Sequence, residues 1–212
     1  NYNGMNKSKM DILTDNNSKN PFDNSVVIID EVHNFVSRIV NRLRDKTSIS
    51  YKLYEYLMSA TNARIVLLSG TPIINYPNEI GITMNILRGI ISSWNLKLSI
   101  SGSRKVDKEF FLELFKTNPL TENILDYLQY KSSSTTLIIT RNPYGFVSVN
   151  KESKYKGVEL NEGGNIDDIT FIGVITQILT ENNITIISSA TSVEKNHCLP
   201  DTLDGFNSEF ID

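Results

Sequence analysis

Val26-Val27-Ile28-Ile29-Asp30-Glu31-Val32-His33 is the stretch whose reading decides the fold. Four consecutive β-branched residues are stiff and pack well laterally, which suits a strand. A run without polar alternation suits a strand covered on both faces, as in a parallel sheet. It stops abruptly at two acids. In open parallel sheets, ligands lie beyond the carboxyl ends of the strands, so Asp30 and Glu31 are directed towards such a crevice.

Working outward, Phe35, Val36, Ile39, Val40 and Leu43 recur at helical spacing, and Tyr51, Leu53, Tyr54, Leu57 and Met58 do so again. A second apolar run, Ile65-Val66-Leu67-Leu68, then ends at Ser69-Gly70-Thr71-Pro72. Strand, helices and strand over this length form a crossover unit, which joins parallel strands right-handedly. The two strands are therefore expected side by side, with His33 within reach of the Ser69–Thr71 turn.

The rest of the chain reads as a different kind of structure. Pro77 suits the first turn of a helix to about Leu87. Residues 92–103 are rich in Ser and Gly and mark the expected subdomain boundary. Residues 107–130 read as two helices broken at Asn118-Pro119. Thr135–Thr140 and Phe146–Val149 read as strands separated by the turn Asn142-Pro143-Tyr144-Gly145. Asp167 or Asp168 caps a helix to about Thr180, and Ile184–Ile187 is a short strand. Residues 1–24 are polar and expected as a loop or disordered lead-in. The expected class is α/β: a partial parallel sheet flanked by helices over 25–91, and an inserted or connecting α+β subdomain over 92–212.

Composition narrows the function classes. Hydrophobic residues make up 40% of the 212 and charged residues 21%, the balance of a soluble globular protein. A net charge of -3 removes the whole-chain basic signature of nucleic-acid binding, leaving only local patches. The single cysteine, Cys198, cannot form an internal disulfide. No apolar run approaches the roughly 20 residues that span a bilayer. The chain does not begin with Met, and an excised segment of a longer protein is expected.

The two strand ends carry the chemistry. Magnesium is a hard cation that takes oxygen ligands, often through water, and Asp30 suits that role. Attack on a γ-phosphate needs a positioned water, which Glu31 can orient or deprotonate. His33, Ser69 and Thr71 would sense and couple the state of the site. Taken singly, Asp30-Glu31 also reads as a loop that caps the next helix, and Ser69–Pro72 as an ordinary turn. Both patterns in this order, each closing a buried strand, are harder to obtain by chance. Arg38 and Arg42 lie one turn apart and suit phosphate-backbone contact, although a solvated helix face is the stronger reading. Arg141 reads as a surface ion pair. Tyr144 and Phe146 read as core anchors rather than base-stacking platforms. His197-Cys198 lacks the second pair that a zinc site needs.

Val27 to His33 resembles the DExH form of helicase motif II, also called Walker B. Leu67-Leu68-Ser69-Gly70-Thr71-Pro72-Ile73-Ile74-Asn75 resembles motif III of superfamily 2, in the form of Snf2-like and large-DNA-virus helicases. Ile139–Phe146 and Leu199–Asp212 resemble segments between the motor domains of helicases of the poxvirus early-transcription-factor type. The resemblance is closest over 26–90 and looser over 135–212. It implies a RecA-like fold, hydrolysis of ATP with Mg2+, and action on DNA or RNA beside other transcription or replication subunits. It also implies a soluble intracellular setting, host cytoplasm or virion, without membrane. No Gly-x-x-x-x-Gly-Lys-Ser/Thr occurs in the 212 residues. That loop cradles the phosphates, so the chain alone is not expected to turn over ATP. The other reading is a non-catalytic α/β interaction module derived from a helicase domain.

Overall fold

The computed structural model describes residues 4–102, 105–119, 121–143, 145–149, 157–161 and 166–210. The chain folds as two compact units, one of residues 1–90 with 197–212 and one of residues 91–196. Tyr144 lies outside the described residues.

The first unit starts with α1 (Lys7–Leu13), where the sequence suggests only a polar lead-in. Asn6 caps it by accepting from Lys9 N at 3.0 Å, and Met10 is buried in the unit's core. A two-turn helix with one core residue leaves no periodicity to detect. Next come β1 (Val26–Ile29), α2 (Val32–Val40), α3 (Ile49–Ser59), β2 (Arg64–Leu67) and α4 (Asn78–Arg88). β1 and β2 pair in parallel, Val26 with Arg64 through Ile29 with Leu67. Val27, Ile29, Ile65 and Leu67 pack against a core of Val32, Phe35, Val36, Ile39, Leu53, Tyr54, Leu57, Met58, Ile82 and Ile86. Burial of each large side chain stabilises by roughly 1.5–3 kcal/mol.

The outer face of this pair differs from expectation. Val26 and Ile28 are 69% and 65% exposed, and Val66 and Leu68 are 42% and 48% exposed. The strands are covered on one face rather than both, because α2, α3 and α4 supply one apolar layer.

The second unit is built on β3 (Ile91–Ile100), followed by α5 (Lys108–Lys116), β4 (Leu125–Lys131), β5 (Thr136–Arg141), β6 (Phe146–Ser148), β7 (Val158–Leu160), α6 (Asp168–Glu181), β8 (Ile184–Ile186) and β9 (Ser192–Asn196). The main sheet is antiparallel in the order β4-β5-β3-β8, with β9 sharing β3's edge with β8. β6 and β7 form a separate antiparallel pair. The class is therefore mixed α/β, with a parallel pair in one unit and antiparallel sheets in the other.

Two expectations are corrected here. The Ser-rich stretch read as a boundary is the central strand: Trp94, Leu96 and Leu98 alternate into the core while the residues between them are polar. The second half of the 107–130 helical region is strand β4. Its register shifts between Leu125 and Tyr127, leaving Asp126 as a bulge. The bulge turns a two-residue repeat into a three-residue step, so Leu125 and Leu128 both reach the core at a spacing that imitates a helix.

Helix α6 is capped as expected: Asp167 Oδ1 accepts from Thr170 N at 2.7 Å. Arg141 donates through Nε to Asp168 Oδ1 at 2.7 Å, and its Nη2 lies 2.7 Å from the same oxygen. The guanidinium is only 14% exposed, so this is a half-buried pair rather than a surface one.

After β9 the chain rejoins the first unit, whereas residues 92–212 read as one continuous subdomain. Asn85 on α4 donates to Leu199 O and accepts from Leu199 N, both at 2.8 Å. The chain ends in α7 (Leu203–Phe210), with Phe206 buried. Among the described residues no helix is long and apolar enough to cross a membrane.

Candidate functional site

The parallel ladder continues past both strands and fixes the two turns side by side. Leu68 N donates to Ile29 O at 2.9 Å, and Val32 N donates to Leu68 O at 3.0 Å. Asp30 and Glu31 on one turn therefore face Ser69, Gly70 and Thr71 on the other. Pro72 follows with its fixed φ, directing the exit. This is the adjacency expected from the strand–helices–strand spacing.

Glu31 is the conformational pivot. Its φ of 51° and ψ of 48° place it in the left-handed region, at the junction of β1 and α2. A β-branched or long side chain is disfavoured there by roughly 1–2 kcal/mol. Backbone strain of this kind clusters at functional turns. It swings the chain sharply from strand to helix, with Asp30 Oδ1 accepting from Glu31 N at 3.0 Å. The Glu31 carboxylate stays 62% exposed, and Asp30 is exposed beside it.

His33, in the first turn of α2, bridges the two turns. Its Nδ1 and Ser69 Oγ share a hydrogen bond of 2.8 Å, with Thr71 Oγ1 at 3.4 Å and Glu31 Oε2 at 3.3 Å. Ser69 Oγ also accepts from Thr71 N at 3.1 Å. The tautomer decides what the bridge does. With Nδ1 protonated, the imidazole donates towards Glu31 or Ser69. With Nδ1 bare, the Ser69 hydroxyl donates to it and Glu31 loses that donor. The imidazole thus ties the acidic turn to the Ser-Gly-Thr turn.

The donor set suits a hard cation. Asp30 offers carboxylate oxygen at an open strand end, and magnesium is commonly held by one or two carboxylates with water and phosphate completing its shell. Among the described residues no group of three or more His, Cys, Asp or Glu forms a dedicated metal cage.

Other candidate residues fall apart from this centre. α2 ends at Val40, so Arg42 lies in the turn beyond it and does not continue a helix face with Arg38. Arg42 neighbours Asp45, whose carboxyl is held below its usual range chiefly by the Thr47 hydroxyl. Phe146 sits half-buried in β6. His197 pairs with Asp201 at 2.7 Å, and Cys198 is exposed.

One residue of the site region escaped the sequence reading. Glu79, fully buried in the first turn of α4, accepts from Ile74 N at 2.7 Å and Asn75 N at 3.2 Å through Oε2. Asn75 Nδ2 reaches Ser37 Oγ on α2 at 2.8 Å. An acid in a first helical turn ordinarily reads as dipole compensation, which hides a role as loop anchor.

Comparison with known proteins agrees with this arrangement of turns. The chain is 30% identical over 132 residues to a protein of Acanthamoeba polyphaga mimivirus described as an ATP-dependent RNA helicase, covering 59% of this chain and 16% of that one. It is 41% identical over 66 residues to a termination factor NPH-I homolog of African swine fever virus, covering 31% and 9%. It is 31% identical over 128 residues to the early transcription factor 70 kDa subunit of Melanoplus sanguinipes entomopoxvirus, covering 58% and 17%. The relatives of this chain are viral helicases and transcription factors. The chain spans less than a fifth of the length of each of these three relatives. No family model matches it, and no solved structure does.

Proposed function

We propose that these residues form the magnesium-and-water half of an ATP site in a DExH helicase or translocase of superfamily 2, acting on DNA or RNA in viral transcription. The first unit is then part of a RecA-like motor domain, and residues 91–196 are an insertion within it. The observation that carries the reading is the His33–Ser69 hydrogen bond, which joins an Asp-Glu strand end to a Ser-Gly-Thr strand end across a parallel ladder.

In this reading Asp30 holds Mg2+, directly or through water, and the ion neutralises charge on the ATP phosphates. Glu31 orients the attacking water and accepts its proton. Its exposure and its left-handed backbone suit that task, because the carboxylate stands clear of the helix it precedes. His33, Ser69 and Thr71 transmit the protonation and position of Glu31 to the loop that follows.

The similarity to a viral RNA helicase, a termination factor homolog and an early transcription factor subunit supports this choice over a module that has lost its site. The test is ATP hydrolysis by a protein that carries this chain together with a phosphate-binding loop, with and without nucleic acid. Hydrolysis stimulated by nucleic acid and abolished by Glu31→Gln is expected. Parent-rate hydrolysis by that variant would assign the chain to the non-catalytic class.

A further inference from the structure

We propose that Glu79 is the positioning residue of this site: its buried carboxylate fixes the loop after Thr71 and thereby sets Ser69 and Thr71 against His33. The proposal rests on the functional reading above for its consequence, but not for its geometry.

The loop from Ser69 to Tyr76 has little else to hold it. Ile73, Ile74 and Tyr76 are 44%, 50% and 43% exposed, so apolar burial contributes little to its shape. Its entry is fixed by the Leu68–Ile29 ladder bond. Its exit is fixed by two successive backbone N–H groups that converge on Glu79 Oε2. Convergent N–H groups of this kind bind an anion, and here the anion is intramolecular. Hydrogen bonds to a charged acceptor are roughly twice as strong as neutral ones.

Glu79 is itself immobile. It sits on α4, whose Ile82 and Ile86 are buried in the unit's core. Asn75, the second residue it holds, carries the contact on to Ser37 of α2, the helix that bears His33. The Ser69–Pro72 turn is thus suspended between a strand end and one carboxylate. Releasing the carboxylate frees the turn while leaving β1, β2 and the acids in place.

The experiment uses the 212-residue chain without nucleotide. The 15N signals of the His33 ring, assigned with a His33→Gln variant, report its partner. Hydrogen exchange at the Ile74 and Asn75 amides reports the anchor. Glu79→Asp keeps the charge but withdraws it by one methylene, and is expected to shift the His33 signals towards those of Ser69→Ala. It should also accelerate exchange at both amides by about tenfold or more. Glu79→Gln retains an acceptor and should lie between Glu79→Asp and the parent. The His197 ring signals should not move. Parent-like His33 signals in Glu79→Asp would overturn the proposal, as would unchanged exchange at Ile74 and Asn75. A failure of the ATP reading shows instead in the Glu31→Gln assay, so the two outcomes are separable.

Discussion

Tyr54 Oη donates to Asp201 Oδ1 at 2.9 Å, although 147 positions separate them. The same carboxylate accepts from Asn85 Nδ2 at 2.7 Å and pairs through Oδ2 with His197 Nδ1 at 2.7 Å. Asn78 Nδ2 holds the Asp201 carbonyl at 2.7 Å. Helices α3 and α4 thus grip the returning segment by polar groups that are largely withdrawn from water. Burial and the Asp201 charge also keep the Tyr54 hydroxyl protonated well above the usual tyrosine range.

This grip should depend on pH. The hydrogen bond to Asp201 raises the His197 pKa above 6.5; burial opposes it, and the charges of Asp201 and Glu55 add to the rise. Tyr54 and Tyr51 are the other titratable groups nearby. A raised folded pKa means that protonated His197 contributes its full stability below pH 6.5 and loses it as pH climbs through the folded value. Urea midpoints should therefore fall on the alkaline side of neutrality for the parent and lose that component in His197→Gln. An identical pH profile in the two proteins would remove the role given to this pair.

The Asn85 amide is the most demanding member of the grip, since it satisfies both backbone groups of Leu199. Asn85→Ala should destabilise the first unit by about 1–3 kcal/mol, because a buried N–H and C=O lose their partners. Chemical denaturation followed through the Tyr54–His197 ring contact, whose centroids lie 5.9 Å apart, would measure it.

These contacts show where sequence reading stops. Strands β1 and β2 were legible because four consecutive apolar residues are a local signal, and the DExH and Ser-Gly-Thr-Pro turns announce themselves in the residues that close them. The alternation of Trp94, Leu96 and Leu98 is equally local but was masked by the serines around it. β4 misled through the Asp126 bulge, which gives a strand the spacing of a helix. The return of residues 197–210 leaves no periodicity at all, since one asparagine side chain and one aspartate hold it. Glu79 was hidden for the same reason: its partners are backbone N–H groups, which carry no residue identity.

Two glycine substitutions should act in opposite directions. A Cβ on Gly81 would stand 2.5 Å from Pro200 O, a backbone atom that cannot swing aside. Gly81→Ala should cost about 1–3 kcal/mol by pushing the returning segment off α4. Gly173, on the exposed side of α6, meets nothing within 4 Å. Gly173→Ala should stabilise the second unit by roughly 0.5–1 kcal/mol through the lower backbone entropy of alanine. Thermal melts of both variants test the pair. Equal effects would show that the close approach of Pro200 to α4 is absent in solution.

The two acids should separate by function when the chain is assayed within a protein that also carries a phosphate-binding loop. Asp30→Asn removes a charge from the shell offered to magnesium, so nucleotide affinity and turnover should fall together. Glu31→Gln keeps the side-chain shape and a donor–acceptor amide but cannot take a proton. Nucleotide affinity should largely survive while hydrolysis drops by about 10²–10⁴. Ser69→Ala combined with Thr71→Ala removes both hydroxyls facing His33 and leaves the acids untouched. Hydrolysis should then persist in part while strand displacement or translocation declines. Measuring affinity, hydrolysis and displacement for all three variants distinguishes the roles. A Ser69/Thr71 double variant that displaces strands at the parent rate per ATP would show that the His33 bridge is structural rather than coupling.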